Sequence, residues 1–257
     1  MELNHLSYSS LSAYQLCPKS WEWKYSKGIK APPSPSLVLG SAFHSTIEAQ
    51  LRAQVAGEQF EPAQGWNTAW LQALEKGEIN WGEESPEQTY NQGLRLVAHP
   101  DSQKLIQSIS PAYGEDGKLC VEKYIELRVP GVPIPIIGYI DVIETSGVLA
   151  DFKTSARSWN ADKAKGELQP LFYLAALSQA GYKANPLYQF RHYVWLKLKT
   201  PQVQTFTTQH DLGRLFWILQ TIREVWQGIS AGVFPPNNST WKCSPKWCDY
   251  YNICRGS

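Results

Sequence analysis

The chain has 257 residues, with 24 Lys and Arg against 23 Asp and Glu, for a formal net charge of +1. No overall basic field therefore announces a nucleic-acid partner, and any attraction to one must be local. The length suffices for one domain with a sizeable core. No run of roughly eighteen apolar residues is present, and the opening Met1-Glu-Leu-Asn-His5 lacks the basic and apolar regions of a leader, so no membrane partner and a cytoplasmic location are expected.

Eleven Trp and thirteen Tyr are more than usual. Many must be core residues, and some are candidates for stacking on bases. Along the chain, residues 8–25 read as a capped short helix interrupted around Pro18, with Leu11, Tyr14, Cys17 and Trp21 at helical spacing. The Pro-rich stretch 31–36 reads as a loop. Gly40-Ser41 then introduces a helix from Ala42 to about Val55, with His44 and Glu48 one turn apart. Residues 60–110 look mostly helical, with Trp66, Trp70, Leu71 and Leu74 on one face, and are a candidate helical insertion.

Strands are predicted at about 119–129, 135–144 and 148–154. A helix at about 163–180, a strand at 188–197 and an edge strand near 202–208 follow. A long helix over about 211–231 repeats Leu212, Leu215, Phe216, Leu219, Ile222 and Val225. Strands mixed with helices indicate an α/β fold whose sheet is at least partly antiparallel.

The segment from Ile136 to Thr154 carries the chemistry. Two apolar runs flank Thr145-Ser146-Gly147, a hairpin turn signal, and Asp141 and Asp151 are equidistant from Ser146. Directly opposed side chains in such a hairpin sit about 4.5–5.5 Å apart at Cβ. Lys153 shares the face of Asp151 because strand side chains alternate. Two acids and an amine on a half-buried surface are costly unless a cation joins them, which suggests Mg²⁺ or Mn²⁺ on oxygen ligands. Gln169 and Tyr173 are spaced to share one helix face and could touch a DNA phosphate. Each also has a bland reading: a solvated charge trio, a satisfied helix histidine, ordinary helix packing.

Five cysteines are distributed unevenly: Cys243, Cys248 and Cys254 cluster near the end, Cys17 lies near the start, and Cys120 opens a predicted strand. In a reducing compartment the terminal cluster favours metal ligation over disulfides, whereas Cys120 reads as a small apolar residue.

Taken together, the order Gly40-x3-His44, Gly138-x2-Asp141, Asp151-x-Lys153 and Gln169-x3-Tyr173 resembles the PD-(D/E)xK nuclease superfamily, and within it the RecB-like and CRISPR-associated exonucleases. The resemblance implies a restriction-endonuclease-like core: a mixed central sheet flanked by helices, with the helical insertion and a C-terminal cysteine segment added. It implies metal binding by His44, Asp141, Asp151 and the Phe152 carbonyl, a catalytic Lys153, and the Gln169/Tyr173 motif. Glu122 matches a frequently acidic position on the preceding strand. The family's iron–sulfur branch sets one cysteine in a Leu-x2-Tyr-x2-Cys-Pro context, matched by Leu11, Tyr14, Cys17 and Pro18, and three near the C-terminus, matched by Cys243, Cys248 and Cys254.

Four thiolates are the usual set for a [4Fe–4S] cluster. The C-x4-C spacing departs from the family's commoner two-residue gap, and Zn²⁺ is the alternative occupant. A clip from residue 17 to 243–254 would close a loop of more than two hundred residues, restricting the unfolded chain by on the order of 5 kcal/mol.

The expected activity is that of a metal-dependent DNA exonuclease on single-stranded ends or flaps, in recombination, repair or CRISPR adaptation and within a complex of either kind. Alternatives are an inactive nuclease-fold DNA-binding module and a zinc-stapled nuclease of RNA. Lys19, Lys24, Lys27 and Lys30, with Arg157, Lys163 and Lys165, are candidate phosphate contacts, each of which could equally be a solvated surface charge.

Overall fold

A computed structural model describes residues 3–182 and 188–256. Five proline-led helices set much of the architecture. Proline at the first helical position wastes no hydrogen bond and presets φ. Pro35 opens α3 (Pro35–Ala56) behind the Ser34 cap, so the helix starts inside the predicted loop and Gly40 lies in its interior. Pro62, Pro86 and Pro100 likewise open α4 (Pro62–Leu74), α5 (Pro86–Ala98) and α6 (Pro100–Ser108). The N-terminal segment is α1 (Tyr8–Leu16), then α2 (Pro18–Trp21), which continues as a π-helix over Glu22–Ser26.

The sheet has six strands, β1 (Leu6–Ser7), β2 (Val121–Leu127), β3 (Ile136–Ile143), β4 (Leu149–Ser155), β5 (Gln189–Leu196) and β6 (Gln202–Gln209). The two-residue β1 has no periodicity long enough to be read from sequence. β3 pairs antiparallel with β2 along nearly its whole length. On its other edge it is shared: Ile136 and Ile137 pair in parallel with β1, Val142 and Ile143 antiparallel with β4. β4 then leaves β3 and runs parallel to β5 from Leu149 to Ser155, and β6 closes the edge antiparallel to β5. The sheet is therefore mixed.

Helices cover both faces. One core joins Leu149 and Phe190 to α1, to α8 (Gln169–Gln179) and to α9 (Leu212–Ser230). The other joins Ala150 and Phe152 to Phe43, Ile47 and Leu51 of α3 and to Trp66 and Trp70 of α4. Residues 60–110 thus share the core of the second sheet face. Two predicted helix faces shift. Leu71 is exposed while Trp66 and Trp70 are buried, and α9 buries Leu215, Ile218, Ile222, Val225 and Ile229 while Leu212 and Phe216 face water. The buried set steps by three and four residues, the spacing of one helix stripe. The predicted helix 163–180 is two, α7 (Ala161–Gly166) and α8, with Glu167 and Leu168 between them. The chain ends in α10 (Tyr251–Arg255). Among the described residues no helix is long and apolar enough to cross a membrane.

The stretch 138–141 of β3 lies between its β1 and β4 pairings. A Cβ on Gly138 would stand 2.9 Å from a Phe172 ring carbon and 3.1 Å from one of Tyr173, so glycine is what lets α8 lie against β3 here. Gly138→Ala should lower stability by about 1–3 kcal/mol through overpacking, read as an earlier urea midpoint with unchanged slope. An unmoved midpoint would show that α8 is not held this closely.

Candidate metal and nuclease site

The turn Glu144-Thr145-Ser146-Gly147 closes the β3–β4 hairpin, with the Glu144 N–H donating to the Val148 carbonyl at 2.9 Å and Gly147 at φ +80°. The register Val142↔Ala150 and Ile143↔Leu149 puts Asp141 and Asp151 next in line. There the strands part. In place of a ladder bond, the Phe152 N–H donates to Asp141 Oδ2 at 2.6 Å, a side chain bridging the fork. On the other side, Val121↔Val142 and Lys123↔Ile140 bracket Glu122 opposite Asp141. Three carboxylates thus lie abreast on β2, β3 and β4. Glu122 takes φ +52°, a left-handed value uncommon for a side-chain-bearing residue in a strand.

Asp151 shares the sheet face of Leu149, toward α8, because Ala150 and Phe152 belong to the opposite core. Lys153 Nζ lies 2.9 Å from Asp151 Oδ1, to which it donates, and 2.7 Å from Oδ2. The latter approach is off the direction a hydrogen bond needs, so buried Oδ2 keeps no hydrogen-bond partner. Nζ also donates to Gln169 Oε1 at 2.8 Å, and Gln169 Nε2 donates to the Tyr173 hydroxyl at 2.7 Å. From α3, His44 brings Nδ1 to 3.5 Å from Asp141 Oδ1. His44, Glu122 and Asp141 each offer a ligand atom within 4.8 Å of the others, an arrangement that could hold a metal ion.

The electrostatics are those of an over-acidic, under-solvated site. Burial, then the Asp141 and Glu48 carboxylates, push the Glu122 carboxyl up to about 7. Burial also raises Asp151, with Lys153 pulling the other way and Asp141 adding to the rise. For His44, burial opposes protonation, but the Asp141 carboxylate and its hydrogen bond, with Asp151, outweigh it and the imidazole is raised. Burial likewise opposes charge on Lys153, yet Asp151 beside it wins and the ammonium persists. Burial raises Tyr173 well above the ordinary phenol range, so its hydroxyl is neutral.

His44, Glu122 and Asp141 thus form one group, Asp151, Lys153, Gln169 and Tyr173 are linked by hydrogen bonds, and Asp151 lies outside the three-residue group that could hold a metal ion. Phe152 itself is buried, and Tyr173 is only 5% exposed, so of the Gln169/Tyr173 pair it is Gln169 that meets open space. Sequence periodicity gave Glu122 no weight; its one signal was the resemblance's frequently acidic strand position, and its place opposite Asp141 emerges only with the β2–β3 register. Periodicity gave none to a buried cluster at the hairpin turn. There Arg191 and the Tyr193 hydroxyl each donate to Glu144 at 2.6 Å, tying the turn to β5.

Lys153 and Gln169 also line a cavity of about 650 Å³ together with Cys17, Cys243, Cys248 and Cys254. All four are free thiols, Cys17 Sγ accepting the Asn237 N–H at 3.4 Å and Cys243 Sγ an Arg255 N–H at 3.4 Å. Burial first, then the nearness of Cys17, Asp249 and Cys243, raises Cys248. Of the candidate cations, Arg157, Lys163 and Lys165 are exposed beyond β4, although Lys163 is already paired with Glu167 at 2.8 Å. Lys24, Lys27 and Lys30 are exposed near the N-terminus, while Lys19 is half-buried against Glu22 at 2.6 Å.

Comparison with known proteins gives a consistent result. A crystal structure of a provisionally named exonuclease from Eubacterium rectale superposes with a TM-score of 0.61 over 99% of this chain and 88% of that one, at 12% identity, which speaks to the fold. A second crystal structure, of SSO0001, aligns over 96% and 94% of the two chains at 15% identity with a TM-score of only 0.39. No curated protein matched. The family model described as the PD-(D/E)XK nuclease superfamily matches residues 5–255, nearly the whole chain. The protein belongs to the PD-(D/E)XK nuclease superfamily.

Proposed function

We propose that the chain is a Mg²⁺- or Mn²⁺-dependent deoxyribonuclease that hydrolyses phosphodiester bonds as an exonuclease on single-stranded ends or flaps, in recombination, repair or CRISPR adaptation. The observation that carries this reading is the Lys153 ammonium held between Asp151 and Gln169, on the strand whose Phe152 amide donates to Asp141 of the His44–Glu122–Asp141 group. The residues suit a hard divalent cation. Asp151 Oδ2 is buried with the Lys153 ammonium beside it at 2.7 Å, and three neighbouring carboxylates repel one another in a half-buried site. Asp141, Asp151, His44 and the Phe152 carbonyl would hold the ion, with Glu122 closing the ring. When bound, such an ion supplies a nucleophile at neutral pH and neutralises charge developing on the phosphate.

The chain's own groups do the rest. Lys153 stays cationic and donates toward a phosphate oxygen as negative charge builds there. Gln169 fixes the direction of that ammonium, and the neutral Tyr173 hydroxyl fixes Gln169. Asp141, bonded to the Phe152 amide, keeps the two strands splayed so that both acids face one point. Each role has a competent residue type, which favours an active nuclease over an inert binding module.

End-labelled DNA with blocked 5′ or 3′ termini provides the test, with RNA of the same sequence alongside. Nucleotide release should require Mg²⁺ or Mn²⁺ and fall by at least about a hundredfold in Asp151→Ala and Lys153→Ala. Equal release by wild type and both variants would refute the assignment. Faster cleavage of RNA would move the substrate to the alternative.

At the termini we assign Cys17, Cys243, Cys248 and Cys254 to a [4Fe–4S] cluster. All four line one cavity. Four thiolates are the usual ligand set of such a cluster, and a single tetrahedral Zn²⁺ is the alternative occupant. Anaerobically purified protein should be brown with about four irons per chain, and Cys248→Ser should lower the melting temperature. Colourless protein with one zinc would replace the cluster by the alternative occupant.

A further inference from the structure

Beyond the site, the cysteine-bearing tail presents an unusual surface. Trp241 and Trp247 are the most exposed tryptophans of the chain, at 68% and 55%, and meet edge to face with ring centroids 5.9 Å apart. Each has a neighbouring cation over its ring: Lys242 Nζ is 5.9 Å from the Trp241 centroid, and Lys246 Nζ 5.4 Å from that of Trp247. The pattern repeats nearby, with Arg255 over Tyr251, Lys19 over Trp23 and Lys24 over Tyr25.

These contacts gather in two stretches, residues 17–30 and 236–256, that hold seven Lys or Arg and only two acids, Glu22 and Asp249. The whole chain is only +1, so the rest of it is net negative. The local positive field that the composition left unlocated is here. Trp23, Lys242, Trp247 and Arg255 line the same cavity as Lys153 and Gln169.

We propose that Trp241 and Trp247, with Lys242 and Lys246, form a stacking platform for unpaired bases of single-stranded DNA, leading the strand through the cavity toward Lys153. This rests on the nuclease reading above for its destination. Two aromatic rings left in water are a cost that base stacking removes, and stacking needs bases free of a duplex. The flanking ammonium groups neutralise phosphates as the strand passes. An anionic membrane would also be drawn to lysines among tryptophans. That Lys153 and Gln169 line the same cavity favours the strand.

The test is fluorescence anisotropy of a labelled oligothymidine in magnesium-free buffer with the intact chain. Trp241→Ala/Trp247→Ala should weaken binding by roughly five- to a hundredfold, the range for lost base stacking. Trp241→Phe/Trp247→Phe should recover most of it. Lys242→Ala/Lys246→Ala should weaken binding and flatten its salt dependence. Unchanged affinity in the alanine pair, or tighter binding of oligouridine or of anionic vesicles than of oligothymidine by wild type, overturns the proposal. If the alanine pair does not fold, the phenylalanine and lysine pairs decide: a phenylalanine pair that folds but binds weakly, or a lysine pair with unaltered binding and salt slope, overturns it. Hydrolysis of a small chromogenic phosphodiester by wild type reads the site independently. No hydrolysis with normal oligothymidine binding would count against the nuclease reading and leave the platform standing.

Discussion

Everything in the site depends on the parting of β3 and β4. Two ladder pairs hold the hairpin at its turn, and then β4 leaves to run beside β5. An antiparallel pair that continued would place Asp141 and Asp151 against each other across closed backbone hydrogen bonds. The fork instead frees the Phe152 amide for Asp141 and turns both carboxylates toward one opening. The parting is held from both ends. The Glu144–Arg191–Tyr193 cluster anchors the turn to β5, and α8 lies against the bare backbone of Gly138, where β4 is no longer present.

That geometry creates an electrostatic debt. Glu122, Asp141 and Asp151 stand abreast in a half-buried setting, with Lys153, His44 and, acting on Glu122, Arg52 offering compensating charge. Lys153 is drawn onto Asp151 and the Glu122 carboxyl is pushed up to about 7, as expected where carboxylates are both desolvated and crowded. A divalent cation would satisfy all three acids and release Lys153 toward substrate. The left-handed backbone at Glu122 fits the same account, since strained residues persist where the surrounding structure over-determines them.

Much of this could be read in the sequence because the signals were symmetric or periodic. Equal spacing of Asp141 and Asp151 about Ser146 gave the register, alternation gave the face of Lys153, and helical spacing gave the Gln169–Tyr173 contact. What was illegible depends on tertiary contact or on chemistry that periodicity does not carry. Prolines 31–36 look like a loop until Ser34 is seen to cap a helix starting at Pro35. β1 is too short to show alternation, and Phe216 fits a helix stripe that the fold gives to Ile218. Glu122 becomes conspicuous only once β2 lies beside β3. Lys24 near the N-terminus gains meaning from the tail that meets it at one cavity, a contact spanning about the whole length of the chain.

The central claim is that the fork holds a divalent cation, and calorimetric titration with Mn²⁺ tests it most directly. Glu122 is raised to about 7 and His44 is raised as well, so both carry protons in slightly acidic solution that a cation must displace. Binding should strengthen as pH rises from 6, by up to about tenfold per pH unit for each proton displaced below that group's pKa and levelling off above it, and should be lost in Asp151→Asn. Mn²⁺ binding that is independent of pH, or retained in full by Asp151→Asn, would contradict the account.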